Sequence, residues 1–225
     1  MNASTFVRTV HLDSTDVELA IHQWTEGDVG CVVWDGALVL GKYIDHKNCV
    51  GEWDAKKNVL ELGSGTGIVG IITASFGNDA LLTDLPQFVP LLEKNLEENR
   101  DRLRGKASVR TLEWGAPPDT YMVAPDVMLI SECVYYDKAV DPLLKTMTEL
   151  CGPNTEMLVS YEDRDNDANS AAVARFLRAV DPLLKTMTEL CGPNTERLVS
   201  YEDWDNEANT AAVARFLRVR VRYRF

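Results

Sequence analysis

Residues Asn58–Ala74 read N-V-L-E-L-G-S-G-T-G-I-V-G-I-I-T-A, and this stretch decides the fold. Its apolar start, Val59–Leu62, is typical of a strand that is buried on both faces. Its apolar end, Ile68–Ala74, predicts a helix. Between them lie three glycines whose missing Cβ atoms let the backbone turn sharply and approach a ligand: Gly63, Gly65 and Gly67. A strand, a glycine loop and a helix in this order point the first amides of the helix at whatever binds to the loop.

Two kinds of ligand fit this loop. Gly65–Gly70 matches G-x-G-x-x-G, the fingerprint of dinucleotide-dependent oxidoreductases. The longer string E-L-G-S-G-T-G, which begins at Glu61, resembles the first motif of class I S-adenosylmethionine-dependent methyltransferases, and a purely structural glycine turn is a third interpretation. We expect the Glu61 carboxylate to face the bound group, which favours a cationic or hydroxyl-rich ligand over a pyrophosphate. Asp84 ends the next apolar run, about twenty residues on, where either ligand class needs an acidic residue for its ribose.

The composition indicates a single domain without nucleic acid, metal or membrane partners. The chain has 225 residues, of which 45% are hydrophobic, so one sizeable core is expected. Its net charge of −12 repels nucleic acid phosphates. Five cysteines without a C-x-x-C pair argue for a reducing compartment and against a disulfide framework or a metal site. Neither a signal peptide nor an apolar span of about 18 residues is evident, so the expected location is cytoplasmic.

Strands alternate with helices along the chain and predict an α/β fold with a doubly wound, mostly parallel sheet. Thr5–Leu12 and Val17–His22 flank a polar turn and predict an N-terminal β-hairpin outside that sheet. Asp35 is a suitable N-cap for a helix through Ile44. Further predicted elements are a strand at Leu81–Asp84, an amphipathic helix at Pro86–Glu98, and strands at Ser108–Leu112 and Val127–Ile130. A ligand is expected across the carboxyl ends of the strands, which these side chains follow: Glu61, Asp84, Trp114 and Glu132.

The C-terminal part of the chain contains a tandem duplication. Ala139–Arg178 and Ala179–Arg218 are copies of 40 residues with 36 identical positions. Two copies are too few for a solenoid, which needs about three or more repeats to bury its faces. We therefore interpret the repeat as a recent duplication of a segment, or an error in the gene model, rather than a designed repeat. Each copy predicts a helix opened by Asp-Pro (Asp141-Pro142 in the first), an apolar strand and a second helix.

The first copy is expected to complete the core, because its connection to the preceding strand is short. Leu158–Tyr161 should form the fifth parallel strand and Asn169–Arg178 the next helix. Leu198–Tyr201 of the second copy is then left with the remaining edge and a looser fit. The tail Val219–Phe225 alternates apolar and arginine residues, which predicts an exposed edge strand. The single domain would thus comprise a hairpin and loop at 1–30, a cofactor-binding core at 31–178, and the second copy with its terminal strand at 179–225.

Over roughly Phe6–Tyr161 the chain resembles the methyltransferase-like 21 group of protein lysine methyltransferases. Five strings carry the resemblance: G-C-V-V-W-D-G-A-L-V-L-G-K-Y-I from Gly30, V-L-E-L-G-S-G-T-G from Val59, T-D-L from Thr83, L-E-W-G from Leu112 and S-E-C-V-Y-Y from Ser131. The resemblance implies a Rossmann-like methyltransferase sheet, S-adenosyl-L-methionine as cofactor, and a protein substrate that presents a lysine. The expected substrate is an AAA ATPase of the valosin-containing protein type. We expect the chain to be a monomer.

The resemblance also implies roles for individual residues. The glycine loop would wrap the methionine part of the cofactor, with Glu61 near the same end of the site. Asp84 would accept hydrogen bonds from the ribose hydroxyls, and Trp114 would lie beside the adenine. Glu132 and Tyr135 match an Asp/Glu-x-x-Tyr/Phe motif that faces the target lysine, as the catalytic pair. The remaining implied cofactor contacts are Trp34, Gly63, Ser64, Gly65, Gly67 and Ser131.

Two alternatives stay open on the sequence. One is a relic that binds S-adenosylmethionine but has been catalytically impaired by the duplication and acts as an interaction protein. The other is a dinucleotide-dependent oxidoreductase, which the G-x-G-x-x-G match at Gly65–Gly70 allows. Glu61 and the motif at Glu132–Tyr135 count against the oxidoreductase, and no separate substrate domain is evident.

Overall fold

The computed structural model describes residues 5–117, 122–152, 154–162 and 170–180, together with the backbone of two further strands at 195–204 and 214–223. The strands of this part of the chain are β1 (Thr5–Leu12), β2 (Val17–Trp24), β3 (Asn58–Leu62), β4 (Asp79–Asp84), β5 (Ala107–Thr111), β6 (Val127–Ser131), β7 (Glu156–Glu162), β8 (Thr195–Trp204) and β9 (Ala214–Tyr223). The helices are α1 (Asp35–Cys49), α2 (Ile68–Ser75), α3 (Val89–Glu98), α4 (Asp137–Leu150) and α5 (170–180).

Seven strands form one sheet in the order β5-β4-β3-β6-β7-β9-β8, and β1 and β2 pair separately as an antiparallel hairpin. Neighbours from β5 to β7 are parallel, whereas β9 is antiparallel to both β7 and β8. The order of the strands reverses between β3 and β6, and a crevice for a ligand is expected at such a switch point. The predicted doubly wound, mostly parallel sheet, its fifth parallel strand and the separate hairpin are confirmed.

Helices cover both faces of the sheet. One face packs against α1, α2 and α3 in a core that includes Leu40, Ile72 and Leu92. The opposite face packs against α4 and α5 through a second core that includes Leu143 and Phe176. Strand β6 is buried along its whole length because it contributes to both cores, with Leu129 facing the first and Ile130 the second. This two-sided burial explains the unbroken apolar runs in the sequence.

Asn95 of α3 and Asn99, the residue that caps the end of this helix, hold the N-terminal hairpin against the domain. The Asn99 side chain accepts a hydrogen bond from the Ala20 amide (2.9 Å) and donates one to the Ala20 carbonyl (2.8 Å). Asn95 does the same with His22, at 2.7 and 3.0 Å. Residues 95 and 99 lie about one helical turn apart. Their side chains therefore pair with the backbone amides and carbonyls of alternate residues of β2, as a neighbouring strand would. Asn95 also donates to the Thr66 carbonyl at 2.9 Å, which ties the glycine loop to the same side chain.

The two copies of the repeat form matching strands, β7 and β8, but their ends adopt different structures. The sequence A-R-F-L-R at 174–178 lies in α5, whereas the same five residues at 214–218 open β9. The residues that follow differ: A-V-D-P continues after Arg178, and V-R-V-R after Arg218. The alternating second tail has the period of a strand, and β9 pairs along its length with both β7 and β8. Residues 163–169 and 181–194, with the predicted Asp-Pro helix start of the second copy, lie outside the described residues.

Three local predictions were wrong. Trp34, not Asp35, is the N-cap of α1, and Asp35 is its first residue. Helix α4 begins at Asp137 rather than at Asp141-Pro142, because apolar residues that repeat at helical spacing on both sides of Pro142 bury against the sheet and offset the lost hydrogen-bond donor. The tail is not an edge strand: β9 lies between two partners, and β8 takes the outermost place.

Replacement of Asn95 by alanine should loosen the hairpin. The His22 amide, the His22 carbonyl and the Thr66 carbonyl would each lose a partner, which should lower the free energy of unfolding by about 2–4 kcal/mol. Urea denaturation of Asn95→Ala measures this loss. Lys94→Ala, at the exposed neighbouring position, is the matched control and should stay within about 0.5 kcal/mol of the unchanged protein. Equal stability of the two variants would contradict the role of Asn95.

Candidate active site

A cavity of about 470 Å³ opens at the carboxyl ends of β3, β4 and β6. This is the switch point of the sheet, and the volume lies in the usual range for small-molecule sites. Nine of the eleven residues that the sequence singled out line it: Trp34, Gly63, Ser64, Gly65, Asp84, Trp114, Ser131, Glu132 and Tyr135. They come from separate parts of the chain, and the sheet topology brings them together.

The glycine loop forms one wall of the cavity, and its glycines are required by close approach. Gly63 and Gly65 both have a positive φ, at 63° and 52°. A Cβ atom on Gly63 would lie 2.7 Å from the Cys133 sulfur and 2.8 Å from the Trp114 ring, and one on Gly65 would lie 3.0 Å from the Gly30 carbonyl oxygen. A side chain at either position would fill the cradle or displace its walls.

The Asp84 carboxylate fastens the loop to the end of β4. One oxygen accepts a hydrogen bond from the Gly65 amide at 2.7 Å, and the other accepts one from the Leu85 amide, also at 2.7 Å. Burial raises the pKa of Asp84, and the two amides partly counteract this rise by stabilising the charged form. The carboxylate also lines the cavity, so its free lone pairs are available to hydroxyl groups of a ligand.

Hydrogen bonds hold the Trp34 ring and the loop of Trp114 in place. The Trp34 indole donates a hydrogen bond to the Val29 carbonyl at 2.7 Å. Trp114 is followed by Gly115, whose amide donates to the Thr146 hydroxyl at 2.8 Å and whose carbonyl accepts from the Lys145 ammonium at 2.7 Å. Helix α4 therefore fixes the loop that carries Trp114. Both rings supply flat apolar surface of the kind on which a purine stacks.

Glu132 is held in an uncommon backbone conformation at the end of β6. Its φ is +54°, in the left-handed region, and its amide donates to the Ser160 carbonyl at 3.0 Å. A Cβ atom on Gly36, near the start of α1, would overlap the Glu132 carboxylate. The Ser160 hydroxyl donates to the Gly36 carbonyl at 3.0 Å, so β7 holds both partners. Such strain in a non-glycine residue is typical of functional positions.

Tyr135 and Cys133 follow Glu132 in the cavity wall. Burial, the largest cause, raises the pKa of Tyr135 to about 12, so its hydroxyl stays protonated at neutral pH. Burial also raises the pKa of Cys133 well above its ordinary value, and its thiol donates to the Leu62 carbonyl at 3.2 Å. Cys133 is therefore an unreactive packing residue.

Glu61 and Gly67 do not line the cavity, and the expectation that the Glu61 carboxylate faces the bound group was wrong. Glu61 is 1% exposed and accepts a hydrogen bond from the Gly70 amide at 3.0 Å, beneath the loop. Burial raises its pKa to about 8, against the lowering effects of the Gly70 amide and the Ser64 hydroxyl. Gly67 caps α2 with a φ of +80°, and a Cβ atom there would meet Leu82 and Leu92. Both residues shape the loop from behind.

Sequence reasoning missed several residues of the cavity. Phe88 is buried and lines it, and its ring lies so close to Gly30 that a Cβ atom there would come within 2.9 Å. Its position just ahead of α3, four residues after Asp84, was the available signal. No sequence signal pointed to Lys138, an exposed residue of the cavity lining, because lysines in the first turn of a helix are usually solvated. Within the described residues, no three metal-ligating side chains are grouped, and no helix is both long and apolar enough to cross a membrane.

A family model described as lysine methyltransferase matches residues 13–179. The chain belongs to this family. Protein N-lysine methyltransferase METTL21A of Danio rerio is 35% identical over 164 residues, covering 69% of this chain and 73% of the relative. EEF1A lysine methyltransferase 3 of Xenopus tropicalis is 32% identical over 164 residues, covering 72% of this chain and 71% of the relative.

Solved structures of methyltransferases share the fold. The 16S rRNA N2 G1207 methyltransferase RsmC of T. thermophilus, solved with AdoMet and guanosine, has a TM-score of 0.58 at 15% identity, covering 96% of this chain and 50% of that one. The glycopeptide N-methyltransferase MtfA has a TM-score of 0.58 at 11% identity, covering 82% of this chain and 90% of that one. The cofactor of this lysine methyltransferase is S-adenosylmethionine. The glycine cradle, the Asp84 carboxylate and the flat tryptophan surfaces fit its amino-acid, ribose and adenine parts.

Replacement of Asp84 by alanine should weaken cofactor binding. The change removes a carboxylate that we expect to face the ribose hydroxyls, and it frees the Gly65 amide, so we expect a 10–100-fold loss of affinity, about 1.5–3 kcal/mol. Calorimetric titration with S-adenosylhomocysteine measures it. Asp79→Ala, at the exposed opposite end of β4, is the control and should bind normally. Unchanged affinity in Asp84→Ala would remove this carboxylate from the cofactor site.

Replacement of Glu61 by glutamine should flatten the pH dependence of stability. The folded-state pKa of about 8 exceeds the ordinary 4.5, so the folded protein binds an extra proton between these values. This contribution is complete below pH 4.5 and is lost as the pH rises through 8, a change of about 3–5 kcal/mol. Denaturation between pH 5 and about 9 should show the steeper decline in the unchanged protein and in the exposed-site control Glu93→Gln. Parallel curves for all three proteins would contradict the burial argument.

Proposed function

We propose that the chain transfers a methyl group from S-adenosylmethionine to a lysine side chain of a partner protein, with Glu132 and Tyr135 facing that lysine. The observation that carries the proposal is that this pair lines the same cavity as the glycine cradle and Asp84. Membership of the lysine methyltransferase family supports it. Two relatives are named as a protein N-lysine methyltransferase and an EEF1A lysine methyltransferase, which supports a protein as the substrate.

The residues of the site have separate tasks in this proposal. When bound, S-adenosylmethionine supplies a methyl group that is already activated by its sulfonium. Gly63, Ser64 and Gly65 would hold the amino-acid part, and Asp84 the ribose. Trp114 would stack on the adenine, with Trp34 and Ser131 as further walls. Positioning of the two reactants is the main contribution of such a site.

The attacking amine requires a lone pair, which a lysine ammonium lacks. The reference pKa of lysine is about 10.4, so deprotonation at pH 7 costs about 4–5 kcal/mol. Entry into a cavity walled by tryptophan and tyrosine desolvates the ammonium and lowers its pKa. Glu132 would orient the incoming ammonium, and the oxygen of the protonated Tyr135 hydroxyl would accept a hydrogen bond from the amine. The proton itself can leave through water.

The proposed substrate is an AAA ATPase of the valosin-containing protein type, as the sequence resemblance implies. The net charge of −12 favours a basic loop on the partner. Elongation factor 1A, which appears in the name of one relative, is the second substrate to test. Labelled S-adenosylmethionine, added with the chain to each purified protein and to a cell lysate, tests the proposal. Labelling of the ATPase supports the full proposal, labelling of another protein supports only its first part, and no labelled protein contradicts it.

Glu132 and Gly36 provide a matched pair of variants. Glu132→Gln should bind the cofactor nearly normally but lose about 100-fold or more in turnover. Alanine has a higher helix propensity than glycine, so Gly36→Ala should retain the melting temperature. Its Cβ atom should displace the Glu132 carboxylate, so turnover should fall. Calorimetry and a methylation assay separate the two effects. A collapse of cofactor binding in Glu132→Gln would place this residue in the cofactor site or the fold and contradict its substrate-facing role.

A further inference from the structure

Lys138 lies at the mouth of the cavity, in the first turn of α4. It is exposed, and it lines the same cavity as Glu132 and Tyr135. Its ammonium nitrogen lies over the ring of Tyr136, 5.5 Å from the ring centre. No ion pair of Lys138 occurs within the described residues. Among these residues its ammonium contacts the Tyr136 ring, and such a contact at an exposed site is weak enough to let the side chain move.

The cavity lined by Lys138 contains acidic side chains, and Lys138 also contacts one ring of an aromatic pair. The Tyr135 and Tyr136 rings pack with their centres 4.6 Å apart, tilted by 59°, and Tyr136 is 51% exposed. Among the described residues that line the cavity, the carboxylates are Asp84, Glu113 and Glu132, and Lys138 is the one cation. An aromatic pair beside carboxylates attracts an ammonium group. A lysine of the chain itself therefore lies in the lining of the cavity in which we propose that a substrate lysine reacts.

We propose that Lys138 is itself a methylation site of this enzyme. The inference rests on the proposed function, because it uses the same cavity and the same methyl donor. The unprotonated Lys138 nitrogen forms a bond to the methyl carbon as the carbon–sulfur bond breaks. The sulfur keeps the bonding electron pair and leaves as S-adenosylhomocysteine, and the proton of the nitrogen passes to water.

The position of Lys138 in the chain favours this reaction. Lys138 follows Tyr135 by three residues, so its side chain is always present near the acceptor position, without a docking step. Rotation of its flexible four-carbon stem moves the ammonium without any change of backbone. Methylation keeps the positive charge, so the product remains attracted to the Tyr136 ring.

Peptide mass spectrometry of the purified chain, incubated alone with isotope-labelled S-adenosylmethionine, tests the proposal. We expect the label on Lys138, and Lys138→Arg should lower total self-labelling about tenfold or more, since the remaining lysines lack this proximity. Lys94→Arg, an exposed lysine of α3 away from the cavity, is the matched control and should label as the unchanged chain does. Absence of label on Lys138, or equal labelling of many lysines, overturns the proposal.

The same experiments distinguish this inference from the proposed function. A chain that labels a lysate protein but not Lys138 retains the proposed function and loses the inference. A chain that labels neither loses both. Glu132→Gln protein, added as an acceptor to the active chain, should gain label on Lys138 only if transfer passes between molecules. Either route supports Lys138 as the site.

A readout independent of turnover tests the geometry. Lys138 should react with an amine-acetylating reagent at least about threefold more slowly when S-adenosylhomocysteine occupies the shared cavity, by exclusion of the reagent. The rate at Lys94 should not change. Equal rates at Lys138 with and without S-adenosylhomocysteine would show that Lys138 lies outside the cofactor cavity and would overturn the proposal.

Discussion

The hydrogen bond from the Gly65 amide to the Asp84 carboxylate, at 2.7 Å, is the constraint on which the site depends. It joins the loop after β3 to the end of β4, so the cradle and the acidic group move as one unit. One oxygen of Asp84 accepts this hydrogen bond, and the other accepts a hydrogen bond from the Leu85 amide. A buried carboxylate is costly unless it is hydrogen-bonded, and these two amides make its burial possible. The glycine loop thereby gains a fixed shape, and the carboxylate keeps capacity for a ligand.

The loop is supported from below as well as from the side. The Thr83 hydroxyl donates to the Glu61 carbonyl at 2.6 Å, and the Thr83 amide donates to the Ser64 hydroxyl at 3.0 Å. The Glu61 carboxyl group accepts a hydrogen bond from the Gly70 amide in the first turn of α2. Glu61 thus has a structural task that its place in the motif concealed. A site that must hold a cofactor within a few tenths of an ångström gains from such supporting contacts.

The substrate-facing side depends on different contacts. Glu132 is set by its left-handed backbone, by the Ser160 carbonyl and by the absence of a side chain on Gly36. None of these contacts involves the glycine loop. If Glu132 faces the substrate lysine as we propose, cofactor binding and turnover can fail separately, and each measures one of the two groups of residues. Lys138 belongs with the second group of residues, because it lines the same cavity and follows Tyr135 by three residues.

Local pattern predicted most of the architecture. Apolar runs at β3, β4 and β6, interrupted by amphipathic helices, were sufficient for a doubly wound sheet and for a ligand at its strand ends. The same pattern placed Asp84 and Glu132 in the cavity, since Asp84 ends a buried strand and Glu132 directly follows one. It could not place Phe88, whose contact with Gly30 joins segments almost 60 residues apart (30 and 88). Nor could it show that the Glu61 carboxyl group lies beneath the loop, because sequence spacing does not define which face of a strand meets a helix.

The duplicated segment separates what sequence determines from what tertiary structure decides. By itself, the sequence determined that A-R-F-L-R occurs twice, at 174–178 and 214–218, with the same local preferences. In the structure, the five residues at 174–178 are helical, and the same five residues at 214–218 lie in a strand. In the first copy, Phe176 is fully buried in the core beneath α5, a contact that helical spacing permits. In the second copy, β7 and β8 offer unpaired backbone on both sides, and an extended chain satisfies it. Five residues cannot outweigh either environment, because propensities amount to tenths of a kcal/mol per residue, whereas core burial and sheet pairing act over the whole element.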